Sequence, residues 1–255
     1  MFVLTIDQQG SRRGIDRVPE LLDALNCLPL RCAAERTAGD EVQCLADRPQ
    51  VALDAALIAL EDGPWSVGVG VGPIETPLPR SVRAGRGDAF IAARDAVERA
   101  RRTSSVPITV CCADTRQRET ADELQAVLRL IGWVIRTRNT GQWRVVHELR
   151  RQPDATQQDI AHRLGITQQT VSRALKTSGW REEIAAYPLA LRLLSMLDLT
   201  SAHVRRPEAQ ARSGAKLPSS LGLSSSTPPR RSPGATRAAA TPLPAPPPVS
   251  SVVTP

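Results

Sequence analysis

No stretch of this chain approaches the roughly 20 consecutive apolar residues that a membrane-crossing helix needs, and the opening MFVLTIDQQG carries Asp7 too early for a secretory leader. A cytoplasmic location is expected. The five cysteines, Cys27, Cys32, Cys44, Cys111 and Cys112, are odd in number, contain no CxxC spacing and have no histidines at metal-ligand spacing. Reduced thiols in strands or cores follow. Ser104 and Ser105 fall in a linker, and no Ser-His-Asp or Cys-His arrangement can be drawn at helix or strand spacing, so hydrolase chemistry has no support. His147, His162 and His203 receive no catalytic role.

Lysine is also scarce, with Lys176 and Lys216 alone among 33 basic residues. The formal charge of +7 is unevenly placed: from Ser201 onward there are seven Lys/Arg against the single Glu208, leaving 26 basic against 25 acidic residues before it. Overall basicity therefore says little about nucleic acid. Between Trp143 and Trp180 the balance is local, six basic residues against three acidic ones. That stretch contains the strongest motif in the chain.

Thr156 to Lys176, TQQDIAHRLGITQQTVSRALK, reads as a helix-turn-helix. Thr156 with Asp159 three residues on is a capping-box-like start, and Ile160, Ala161 and Leu164 share one helical face. Gly165 ends that helix where a left-handed backbone is needed, and Ile166 plugs the turn. Thr167 caps a second helix whose Val171, Ala174 and Leu175 face inward. Gln168, Gln169, Ser172, Arg173 and Lys176 occupy its opposite face, with Thr167 and Thr170 beside them. Gln pairs with adenine and Arg with guanine in the major groove, while hydroxyls serve bases or phosphates. Thr156, Gln157 and Lys176 are placed to hold phosphates. Trp143, Val146 and Leu149 give a preceding helix, which completes a three-helix unit.

The rest of the chain supplies a body and a tail. Apolar patterning predicts a strand over 2–6, a helix over 16–28, a hairpin from 30–37 and 41–45, a helix over 49–61, a strand over 65–71, a helix over 87–101 and a strand over 106–111. The order is β-α-β-β-α-β with an appended α-β, the ferredoxin-like α+β arrangement, with an antiparallel sheet covered on one face by helices. A helix over 120–137 follows, and Asn139-Thr140-Gly141 breaks the pattern. After Trp180 there is no hairpin signal for a wing, only the apolar segment 188–199. That segment either packs on the protein's own core or forms a homodimer contact. Residues 201–255 hold eleven of the 21 prolines and almost no core formers, so a disordered tail is expected. The chain divides into 1–137, 138–200 and 201–255.

Asp7 ends the first strand ahead of Gly10-Ser11, and Asp40 sits at the hairpin tip, so the two carboxylates could converge on one divalent cation of the Mg²⁺ type. Asp7-Gln8-Gln9-Gly10-Ser11, Arg36-Thr37-Ala38-Gly39-Asp40 and Ala92-Ala93-Arg94 resemble the metal-binding turn, the substrate-selecting hairpin and the late helical motif of class III nucleotide cyclase and GGDEF-type domains. Phe90 and Ile91 stand where cyclases place an asparagine, so the resemblance carries the fold further than the catalysis. FVLTIDQQGSRRG and ERTAGDEVQ followed by a helix-turn-helix more closely resemble SatD-type bacterial proteins, whose actinobacterial members are described as MarR-like regulators. The resemblance implies a double-stranded-DNA-binding regulator, possible homodimerisation, and a nucleotide with Mg²⁺ held by Asp7, Asp40, Gly10, Ser11, Arg36 and Arg94. No cofactor is required for DNA binding. The alternative is a metal-dependent nucleotide-converting enzyme or a degenerate nucleotide-binding protein.

Overall fold

The computed structural model describes residues 1–11, 14–61 and 63–213. Its elements run β1 (Phe2–Gln8), α1 (Val18–Asn26), β2 (Cys32–Ala38), β3 (Glu41–Ala46), α2 (Pro49–Glu61), β4 (Trp65–Val71), α3 (Asp88–Ala100), β5 (Ile108–Cys112), α4 (Arg118–Arg136), α5 (Thr140–Arg151), α6 (Gln157–Leu164), α7 (Gln168–Thr177) and α8 (Trp180–Ser213). The mixed α+β character and the element order match the sequence reading. The sheet order is β2-β3-β1-β4-β5, with β1 antiparallel to both β3 and β4 and with β5 parallel to β4. The central strands β1 and β4 are buried along their whole length, as strands covered on both faces must be.

Covering on both faces corrects the expectation of helices on one side. Phe2, Leu4 and Ile6 of β1 and Trp65, Val67, Val69 and Val71 of β4 join α1, α2, α4 and α8 in the main core. On the opposite face Val3, Leu45 and Ile74 pack with Ala89 and Ala93 of α3. The reason lies in the alternation of β4. Its other face shows only Ser66, Gly68 and Gly70, so the backbone of α3 can lie directly on the strand. A Cβ at Gly70 would stand 2.2 Å from the Ala89 carbonyl oxygen, and one at Gly68 would stand 2.3 Å from the Val97 nitrogen.

Helix α8 settles the apolar segment 188–199. It starts at Trp180 and places Ala190, Leu193, Leu194 and Leu197 in the main core, packed on α4 and α2. The burial is in cis. Burying the three leucines is worth roughly 5 to 9 kcal/mol as an upper bound, enough to tie this part of α8 to the body. Tyr187 adds a polar tie, its hydroxyl donating to Asp54 of α2 at 2.6 Å. Burial raises the pKa of Asp54 while the Tyr187 hydrogen bond opposes that rise. The helix continues to Ser213, past the expected start of the tail at Ser201, and the tail from 214 lies outside the described residues.

Gly70→Ala tests the seating of α3. Overpacking against backbone atoms should lower stability by about 1–3 kcal/mol in a urea titration. An unchanged midpoint would mean that α3 does not rest on β4.

Candidate nucleic-acid interface

The three-helix unit is built from local signals that act together. Asn139 caps α5 through a capping box with Gln142, and Thr156 caps α6 through one with Asp159. Gly165 adopts φ +63°, and the Ile166 N–H then reaches back to the Ala161 carbonyl at 3.0 Å. Thr167 accepts from the Thr170 N–H and starts α7. Val145, Ile160, Ala161 and Val171 form the core of the unit, flanked by Leu149, Leu164, Ile166, Ala174 and Leu175. Two polar ties close the triangle: Arg144 donates to the Leu164 carbonyl at 3.2 Å, and Gln142 donates to the Thr177 hydroxyl at 2.9 Å.

With Val171 turned inward, α7 presents Gln168, Gln169, Thr170, Ser172, Arg173 and Lys176 to solvent. Among the described residues the side chains of Gln168, Gln169, Ser172, Arg173 and Lys176 form no hydrogen bond or ion pair. Their donors and acceptors are therefore free for a ligand. Thr167 and Thr170 share a hydroxyl contact at 2.9 Å. Thr156 is also exposed, but its hydroxyl both donates to the Asp159 carboxylate and accepts from the Asp159 N–H. The hydroxyl's bond to the carboxylate, together with one from the Thr156 N–H to the same oxygen, lowers the pKa of Asp159. A phosphate at this helix start would meet backbone N–H groups and Gln157, not a free Thr156 hydroxyl.

The signal that sequence reading missed is the clamp between this unit and the sheet. Arg138 is fully buried and ion-paired with Glu183 of α8, and its Nε donates to the Ser178 carbonyl at 2.8 Å. Arg150 of α5 reaches Glu183 at 2.8 Å and also pairs with Glu61 at the end of α2. His147 meets Glu61 at 2.8 Å. Both guanidiniums lie over the rings of Trp143 and Trp180, at 4.9 to 5.9 Å from the ring centres. Burial alone would lower the Arg150 pKa; Glu61 and Glu183 reverse that and raise it. The partners lie far apart in sequence, so no local pattern could have announced them.

The residues singled out in the body come together only in part. Asp7 is the penultimate residue of β1 and the Asp40 carbonyl accepts from the Gln8 N–H at 3.3 Å, so the two acids are neighbours. The Asp7 carboxylate, however, is held through both oxygens by Arg101 at the end of α3, with Nε at 2.8 Å. Burial raises the Asp7 pKa, and Arg101 counters that rise. Arg36 is folded onto Asp16 and the Gly39 carbonyl, Gly10 and Ser11 form the turn after β1, and Arg94 is exposed on α3. The guanidinium stands where a cation would have to bind Asp7. The expected Mg²⁺ does not fit this arrangement.

Free polar side chains on a capped second helix, backed by a complete three-helix core, define the helix-turn-helix class. A sequence model of the MarR family matches residues 136–177, from the end of α4 through α7. No curated protein and no solved structure matches the chain. The family match supports a DNA-binding transcription regulator in general. Among the described residues no helix is long and apolar enough to cross a membrane.

Glu183→Gln should destabilise the protein by about 3 kcal/mol in a denaturant titration, because two arginines lose a buried countercharge. Thr167→Ala should cost about 1 kcal/mol, the usual value of a lost N-cap, with the midpoint of the same titration as readout.

Proposed function

We propose that the chain is a sequence-specific regulator that reads the major groove of double-stranded DNA with α7. Gln168, Gln169, Ser172 and Arg173 contact base edges, while Lys176, Thr170 and the N-terminus of α6 hold phosphates. The observation that carries this reading is the face of α7, where Gln168, Gln169, Ser172, Arg173 and Lys176 are exposed and uncommitted beside a buried Val171. A cytoplasmic location goes with this reading, since the DNA it would act on lies there.

The sheet body serves as the support that aims α7, through the Arg138–Glu183–Arg150–Glu61 clamp. Its strand order and antiparallel centre support the ferredoxin-like, cyclase-related reading and, with the following helix-turn-helix, the SatD-type reading. A nucleotide-sensing or nucleotide-converting role finds no favouring observation beside the Asp7–Arg101 pair.

In-vitro selection of genomic DNA fragments with the full chain at stated salt tests the proposal. A shared site should be recovered. Arg173→Ala should weaken binding to it by roughly 5- to 150-fold, equivalent to about 1–3 kcal/mol, and relax the preference at one base position. Lys176→Ala should weaken all sequences alike and reduce the salt slope by about 1. Equal recovery of unrelated fragments by wild type and Arg173→Ala would sink the sequence-specific reading.

A further inference from the structure

A groove of about 310 Å³ runs along one flank of α7, between that helix, the first turns of α5 and the end of α6. Its floor is apolar, formed by Leu164, Ile166 and Ala174, and the exposed Arg144 and Arg173 line it as well. No acidic residue borders it. The residues of α7 that face it, Thr170, Ala174 and Thr177, are short, and Gly141 of α5 has no side chain, so nothing from either helix fills the space.

The two arginines of the groove differ from the others in the three-helix unit. Of the six arginines from 138 to 173, Arg138, Arg150, Arg151 and Arg163 each meet a carboxylate. Arg144 and Arg173 form no ion pair among the described residues. Arg144 is nonetheless held in place, its Nη2 donating to the Leu164 carbonyl at 3.2 Å, a bond that leaves the charge uncompensated. Two unneutralised cations beside an apolar floor are complementary to a ligand that carries apolar surface between negative charges.

The position of the groove on α7 selects that ligand. At about 100° per residue, Thr170 and Thr177 lie about 80° to 100° around the helix from Gln169, so the groove opens beside the base-reading face and not behind it. A helix roughly 10–12 Å across fills a major groove about 12 Å wide, and its flanks then meet the sugar-phosphate walls. We propose that this groove seats the DNA backbone: a deoxyribose rests on Leu164, Ile166 and Ala174, and Arg144 holds the adjoining phosphate. Arg173 lies on the border between flank and reading face and keeps its base contact. The inference rests on the reading of α7 as the helix that enters the major groove, and adds to it a contact from α5.

Arg144 is then a positioning contact. A phosphate bond carries no sequence information itself but fixes how the reading helix is turned and seated in the groove. The need for one is plain in the chain path: α7 passes to α8 through Ser178 and Gly179 alone, so no hairpin follows it to reach the backbone. Helix α5 can supply the contact rigidly, because Arg150 ties the same helix to Glu61 and Glu183.

Salt titration of the full chain's binding to a random-sequence DNA duplex is the test, with a urea titration of each variant beside it. Log affinity should fall linearly with log salt for the wild type, and Arg144→Gln should reduce that slope by about 0.9, the share of one phosphate. Its deficit against the wild type should therefore shrink about 3.5-fold between about 50 and 200 mM salt. Arg144→Lys keeps the charge and should keep the slope. Arg118→Gln removes an equal charge from the opposite end of α4 and should change neither slope nor affinity. Since Arg144 is exposed, its substitutions should leave the urea midpoint in place. A wild-type slope in Arg144→Gln, a Lys variant with the same lost slope, or an equal loss in Arg118→Gln would overturn the proposal, the last by making the effect one of net charge alone. Because the duplex carries no selected site, a lack of sequence preference leaves this test intact. Failure of the wild type to bind any duplex would instead remove the DNA reading itself, and this contact with it.

Discussion

Arg138 and Glu183 meet where α4, α5 and α8 converge, and the placement of the helix-turn-helix relative to the sheet depends on that pair. Taking two such charges out of water costs several kcal/mol each, so the contact persists only with good geometry and further partners. It has both. Glu183 also accepts from Arg150, Arg150 passes the network on to Glu61, and the two tryptophans cover the guanidiniums. Because α4 and α5 are separated only by Thr137 to Asn139, the three-helix unit has little freedom to swing once these charges are paired.

This clamp gives the sheet body a role that needs no ligand. The body is anchored from two sides: β1 lies at its centre, and α8 returns from the three-helix unit to bury its leucines beside α2 and α4. The Met1 amino group pairs with Asp198, so the two anchors also touch. At the other end of β1, Arg101 holds the Asp7 carboxylate. A fixed guanidinium has replaced what the motif alone suggested, a carboxylate open to a metal ion.

Much of the fold was legible because its signals are local. Alternation marked Trp65 to Val71 as a strand, and helical spacing of Val18, Leu21 and Leu25 marked α1. The candidate interface was legible for the same reason: Thr156, Gly165, Thr167 and Val171 each take the part their residue type dictates within a few positions along the chain. Reading failed where a residue's role depends on a distant partner. Gly68 and Gly70 pointed to close backbone approach, but not to α3 as the element that approaches. Asp7 looked free because Arg101 lies 94 residues away.

The sequence by itself determined the element order, the helix caps, the left-handed turn at Gly165 and the face of α7 that carries Gln168, Gln169, Ser172 and Arg173. Those follow from backbone sterics and from side-chain bonds closed within one helical turn. Only the tertiary structure decided that helices cover both faces of the sheet, that α8 buries its apolar stripe in cis, and that Asp7 and Arg138 are spent on internal ion pairs. An amphipathic stripe or a charge states that it needs a partner, and its periodicity is the same whichever partner it finds. The choice is made by packing and desolvation over long loops, which no local pattern contains.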